Sequence, residues 1–265
     1  MTDTGRVALV TGAARGIGAA TVHALAAEGW SVLAVDVAAD IPALPYALAT
    51  EAELAATVAA ADAGDRVAAY VADVRDPDAL RAAVAAAEQR WGGLDAAISC
   101  AGAIAGGVDQ WELPVEAEQA VLDVNLAGTL NLARAAVPAV LRRAEPRSGR
   151  FIAVASAAAT RGLPQLAAYC AAKAGVTGLV RALARELGPT GITANAVSPG
   201  STDTAMLVET ARLYGLTGHE DFIREQPSGR IIAPAEVAAV IAFLAGPGSS
   251  AMTGAVVAVD GGMAV

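Results

Sequence analysis

Tyr169 and Lys173 stand four residues apart in a stretch without proline, so on a helix their side chains share one face. An ammonium beside a phenol favours the phenolate and is expected to draw the tyrosine pKa down from its reference value near ~10. Such a pair can shuttle a proton. Taken alone, Y-x-x-x-K is also an ordinary surface pair on a helix. Ser156, thirteen residues upstream at the end of an apolar run, adds a hydroxyl that could hydrogen-bond a carbonyl or alkoxide held beside the phenol.

A second group of residues suits a nucleotide. Thr11-Gly12-Ala13-Ala14-Arg15-Gly16-Ile17-Gly18 follows an apolar run and opens a helical pattern. Glycines there allow a sharp turn and close approach of the backbone to a pyrophosphate, whose charge is favoured at a helix N-terminus. Asp36, ending the next apolar run, could accept from an adenosine ribose 2′-hydroxyl and repel a 2′-phosphate, which favours NAD over NADP. Arg15 is the counter-signal, since a cation in the turn could meet a 2′-phosphate. Asp73-Val74 could set a carboxylate and a backbone amide beside an adenine. Cys100-Ala101-Gly102 supplies small residues where backbone passes close to a cofactor. Each would be an ordinary turn by itself; together, at the carboxyl ends of successive strands, they form a site.

The elements that must position these groups follow from the pattern of short apolar runs alternating with alanine-rich helical stretches. That pattern predicts an α/β, Rossmann-type doubly wound fold: a seven-stranded parallel sheet with helices on both faces. The expected strands are Val7–Val10, Ser31–Val35, Val67–Val71, Leu94–Ser99, Phe151–Ala155, Ile192–Val197 and Ala255–Val259. Ile17, Ala20, Ala24 and Ala27 repeat at helical spacing, as do Leu80, Val84, Ala87 and Trp91, and Asp76-Pro77 reads as a helix start. The 265 residues read as a single domain with two irregular segments. One is an insertion at about 38–50, rich in proline, and the other a substrate loop at about 201–230.

Composition narrows the function. With 55% hydrophobic and 17% charged residues, the chain can bury a large core. A net charge of −9 and the absence of a Lys/Arg run disfavour nucleic acid; Arg142, Arg143 and Arg147 read as a solvated helix end. No charge-free run of about 18 apolar residues suggests a membrane span. The start, Met-Thr-Asp-Thr-Gly-Arg, lacks the pattern of a secretory signal, which makes the cytoplasm the expected location. Cys100 and Cys170 have no metal-type spacing and read as buried structural thiols; no metal is expected.

Together the motifs resemble the short-chain dehydrogenase/reductase family along essentially the whole chain: TGAARGIG at 11–18, CAG at 100–102, Asn125 in DVNLAG, Ser156, YCAAK at 169–173 and SPGSTDT at 198–204. The resemblance implies a catalytic tetrad of Asn125, Ser156, Tyr169 and Lys173. In it Tyr169 would be the acid/base, Ser156 would orient substrate, Lys173 would hold the nicotinamide ribose and Asn125 would support a water-linked relay. It also implies that Pro199, Gly200 and Thr204, with Thr202 as a second hydroxyl, clamp the nicotinamide carboxamide. Cys100 stands where the family more often has asparagine. Residues 36–54 further resemble the insertion of mycofactocin-associated members, which hold NAD tightly and pass electrons to a peptide-derived carrier; a passive surface insertion is the plain alternative.

The substrate is expected above the nicotinamide, between Ile104–Trp111, Arg161–Gln165 and Met206–Pro227. Trp111, Leu163, Met206 and Tyr214 there suggest an apolar pocket for a small hydrophobic alcohol or ketone, and His219 reads as a solvent-facing loop residue. Two other functions fit part of the pattern. A 3-oxoacyl-carrier-protein reductase is opposed by Asp36 and by the lack of a basic patch, and a non-catalytic NAD-binding sensor by the complete tetrad. The resemblance also implies a homotetramer, or less often a dimer, assembled through helices around 115–143 and 168–187.

Overall fold

Successive side chains of a strand point to opposite faces, so runs that are apolar throughout need cover on both sides. In a computed structural model of the chain, describing residues 5–218 and 220–264, the runs form β1 (Val7–Thr11), β2 (Ser31–Asp36), β3 (Val67–Val71), β4 (Ala96–Ser99), β5 (Arg150–Val154), β6 (Thr193–Pro199) and β7 (Val256–Val259). They make one sheet in the order β3-β2-β1-β4-β5-β6-β7, with every pair parallel. Ala8, Val10, Val32, Ala34, Ile98 and Ile152 face a layer containing α1 (Gly16–Ala27), α2 (Glu51–Ala60) and, late in the chain, Pro234–Ala245. Val7, Leu9, Leu33, Val35, Ala97 and Phe151 face α3 (Pro77–Trp91), α4 (Val115–Leu122), α5 (Gly128–Leu141) and α6 (Ala167–Leu187).

Strand ends differ from the expectation where polar groups intervene. Asp95 lies ahead of β4 and accepts from the Val7 amide at 2.8 Å and from Arg143 Nε at 2.8 Å. Arg150 belongs to β5 although its charge argues against a buried strand. It is 2% exposed, and its guanidinium donates to the carbonyls of Ser148, Gly149 and Gly246 at 2.9, 2.9 and 3.1 Å. Arg143 and Arg147 are likewise not solvated: both are partly buried, Arg143 on Asp95 and Arg147 on the carbonyl of Leu141 at 3.0 Å, at the end of α5. Only Arg142, paired with Glu88, matches the exposed helix-end reading.

Helix faces are partly as expected. Leu80, Val84 and Ala87 are buried in α3, and Asp76 caps its start by accepting from the amides of Asp78 and Ala79. In α1 the buried stripe is Gly18, Thr21, Val22, Leu25 and Ala26, one residue on from the face read in the sequence. Alanines populate all sides of this helix, so periodicity alone marks its buried face poorly. A π-turn, Asp123–Ala127, joins α4 to α5, giving a continuous helix, Val115–Leu141. By length and composition this helix is apolar enough to cross a membrane, but 56% of its most apolar window is buried inside the fold.

The two irregular segments are more ordered than expected. After β2 the insertion tucks Ile41, Leu44 and Ala49 into the interior and ends in a capping box, Thr50 with Glu53, that starts α2. The later segment contains α7 (Ala205–Leu213), capped by Thr204, and α8 (Glu220–Arg224), followed by α9 (Pro234–Ala245). Their apolar residues Leu207, Ala211 and Phe222 pack together as a small satellite cluster, which a loop reading misses. Cys100 and Cys170 are free and half-buried rather than fully enclosed.

Candidate active site

The strand order reverses direction at β1, with β2 on one side and β4 on the other, so the loops at their carboxyl ends part and leave a crevice. A cavity of about 840 Å³ occupies it. Gly12 has φ +64°, and a β-carbon there would lie 2.6 Å from the Ala101 backbone, so only glycine lets the loops after β1 and β4 meet. A β-carbon on Gly18 would lie 1.9 Å from the Gly12 carbonyl. Gly16, also at positive φ, lines the cavity with Arg15 and Ile17.

Asp36 sits at the far end with its carboxylate fixed by two backbone amides, Ala14 at 3.0 Å and Ala38 at 3.3 Å. Arg15, which also borders this end of the cavity, donates from Nη2 to the Ala47 carbonyl at 3.1 Å, within the insertion. Asp73 lines the cavity, but its carboxylate is already forked onto Arg75 at 2.6 and 2.9 Å. Val74 and Cys100 line it too, and desolvation pushes the Cys100 thiol up to about 12.

At the other end, Ser156, Tyr169 and Lys173 line the same space. Tyr169 and Lys173 lie on α6, with the Lys173 Nζ 5.7 Å from the Tyr169 ring centre. Lys173 is 3% exposed and donates to the Val154 carbonyl at 2.9 Å. The expected lowering of the tyrosine pKa is not found in the chain itself. Burial pushes the Tyr169 phenol up to about 12, against a weaker opposing effect of Ser156, and the hydroxyl donates to Met206 Sδ at 3.8 Å. The same burial brings Lys173 down to about 8. Burial thus moves both groups toward their neutral forms.

Asn125 is fully buried in the π-turn and donates to the carbonyls of Ala103 at 2.7 Å and Val121 at 2.8 Å. Its Oδ1 has no partner among the described residues. A β-carbon on Gly102 would sit 3.2 Å from that oxygen, 3.3 Å from Met206 Cε and 3.8 Å from Lys173 Nζ. Glycine thus leaves open the one point on which these three groups converge, and π-turns are frequent at such sites. Nothing in the sequence signals this turn.

Pro199, Gly200, Thr202 and Thr204 line the cavity. Thr202 Oγ1 donates to the Gly200 carbonyl and Thr204 Oγ1 to the Thr202 carbonyl, at 3.0 and 3.2 Å, so both hydroxyls brace the turn internally. Of the expected apolar pocket, Leu163, Met206 and Tyr214 are present. Trp111 is not: it is 83% exposed, on a short turn outside the cavity. His219 lies outside the described residues. Leu166, Phe222 and Met263 also line this half, brought in by tertiary packing that local sequence does not reveal. From the insertion Tyr46 reaches the segment after β4, where its hydroxyl accepts from the Ile104 amide at 3.0 Å. The insertion therefore spans more than the adenosine end.

Known proteins match the chain along nearly its whole length. A family profile described as enoyl-(acyl carrier protein) reductase matches residues 12–264. The short-chain reductase protein NovJ of Streptomyces niveus is 40% identical, over 97% of this chain and 93% of that one. Cis-4-hydroxycyclohexanecarboxylate dehydrogenase of Sinomonas cyclohexanicum is 36% identical, over 97% and 96% respectively. The crystal structure of carveol dehydrogenase from Mycobacterium avium in complex with NAD superposes with a TM-score of 0.93 at 32% identity, covering 99% of each chain.

Proposed function

The chain belongs to the short-chain dehydrogenase/reductase family, and from that premise we propose that it interconverts a small hydrophobic alcohol and its carbonyl compound with NAD(H). One observation carries the reading: a single cavity joins the glycine turn and Asp36 at one end to Ser156, Tyr169 and Lys173 at the other. The residues fit a dinucleotide, because Gly12 lets the loops after β1 and β4 close together while Gly16 and Gly102 leave open space that side chains would enter. The fixed Asp36 carboxylate suits a ribose hydroxyl and repels a phosphate there. Gly12, Arg15, Gly16, Ile17, Gly18, Asp36, Asp73, Val74, Cys100, Ala101, Gly102, Pro199, Gly200, Thr202 and Thr204 would border the cofactor, together with Tyr169 and Lys173.

Bound NAD supplies a hydride acceptor. In oxidation, Ser156 holds the substrate oxygen and Tyr169, as phenolate, takes the hydroxyl proton; in reduction the phenol returns it to the carbonyl oxygen. Lys173 lies on the same helix face to favour the phenolate when it carries its charge. Asn125, with its free buried oxygen, would hold a water from which the proton continues.

We further propose that NAD is retained between turnovers and that its electrons leave to mycofactocin. The support is the resemblance of residues 36–54 and the two ties on the insertion, Arg15 to Ala47 and Ile104 to Tyr46. Residues 1–265 would act as one cytoplasmic domain, assembled as a tetramer through α4, α5 and α6. Denaturing the purified protein and measuring released nucleotide tests retention. Stoichiometric NAD(H) supports it, whereas an empty protein that turns over freely with added NAD contradicts it.

A further inference from the structure

Resting on the dehydrogenase reading, we infer that the site selects neutral alcohols over alcohols that carry a carboxylate, and that Glu225 sets this preference by occupying Arg161. The substrate half of the cavity presents two guanidiniums, Arg161 and Arg224, among Leu163, Leu166, Met206 and Phe222. Either cation could recognise a substrate carboxylate, yet each is already matched. Arg161 Nη2 pairs with Glu225, joining the segment after Ser156 to the end of α8, while its Nη1 donates to the Met263 carbonyl at 3.1 Å. Arg224 pairs with Asp221 at 2.7 Å. Asp221 and Glu225 line the cavity themselves, so an entering anion meets two tethered carboxylates as well as two satisfied cations. A neutral alcohol meets no such competition, and the apolar lining favours it.

The Arg161 and Glu225 side chains are 39% and 49% exposed. A pair this open is worth no more than about fivefold in an equilibrium constant, so replacing Glu225 spares the fold while freeing a cation at the rim. The probes are 4-methylcyclohexanol and trans-4-hydroxycyclohexanecarboxylate, which share a ring and differ in charge. With NAD and the full chain, the native protein is expected to show the higher kcat/KM on the methyl compound. Glu225→Gln should move the ratio toward the carboxylate by up to about fivefold, and Arg161→Gln in addition should reverse the gain. A native preference for the carboxylate, or an unchanged ratio in Glu225→Gln, overturns the inference while leaving the dehydrogenase reading intact. Failure to oxidise either alcohol overturns both.

Discussion

Lys173 donates its ammonium to the Val154 carbonyl at 2.9 Å while lying 5.7 Å from the centre of the Tyr169 ring, in a pocket dry enough to bring its pKa from 10.5 to about 8. A cation is thus kept where burial disfavours it. The unfolded chain holds this proton up to about pH 10.5, the folded chain only to about 8. Between those values the unfolded state binds more protons, so this group's contribution to stability rises with pH; below pH 8 its full penalty applies. Lys173→Met should therefore raise the melting temperature at pH 7, by an amount equivalent to about 2 kcal/mol. Thermal melts across the pH range should show the gain shrinking above pH 8, and activity should fall by about a hundredfold or more.

Asp36 sets the choice of nucleotide. Its carboxylate is positioned by the Ala14 and Ala38 amides, and a hydrogen bond to a charged group is worth ~1.5–3 kcal/mol. Asp36→Ala should raise the NADP-to-NAD ratio of kcat/KM by about 10–100-fold. Steady-state kinetics with both nucleotides checks this, and unchanged discrimination would reject the ribose-carboxylate argument.

Tyr46 ties the insertion to the segment after β4 through the Ile104 amide. Tyr46→Phe keeps the ring and strands that amide, at a cost of ~1–3 kcal/mol. If the insertion governs cofactor escape, NAD dissociation measured by displacement should quicken about tenfold. An unchanged rate would make the insertion a passive surface feature.

Gly12 stands under backbone rather than a yielding side chain. Gly12→Ala places a methyl 2.6 Å from Ala101 and forces alanine to φ +64°. Chemical denaturation should register a loss of about 3 kcal/mol or more, together with weaker NAD binding. A native-like midpoint would show that the loops after β1 and β4 can separate freely.

Much of the architecture is legible in the sequence because it is local. Continuous apolar runs such as Val7–Val10 announce buried parallel strands, and Asp76-Pro77 announces a helix start. The glycine turn and the Tyr169–Lys173 spacing likewise name their partners within a few residues. What escapes is set by distant contacts. Arg150 enters a strand because the carbonyls of Ser148, Gly149 and Gly246 accept from its two terminal nitrogens. Asn125 lies in a π-turn where its amide meets Ala103. Trp111 reads as a pocket wall by proximity in sequence, yet it is exposed and does not line the cavity. The tyrosine pKa is misjudged for a related reason: spacing reveals the nearby ammonium, but not the desolvation that both groups share.

The central claim is that Tyr169 is the acid/base of an NAD-linked alcohol oxidation. Tyr169→Phe retains the buried ring and removes only the hydroxyl, so the direct measurement is the rate of NAD reduction by 4-methylcyclohexanol in a single turnover of the NAD-loaded protein. The predicted result is a loss of about 10²–10⁴-fold with NAD still bound. A variant that retains most of the native rate would show that another group moves the proton.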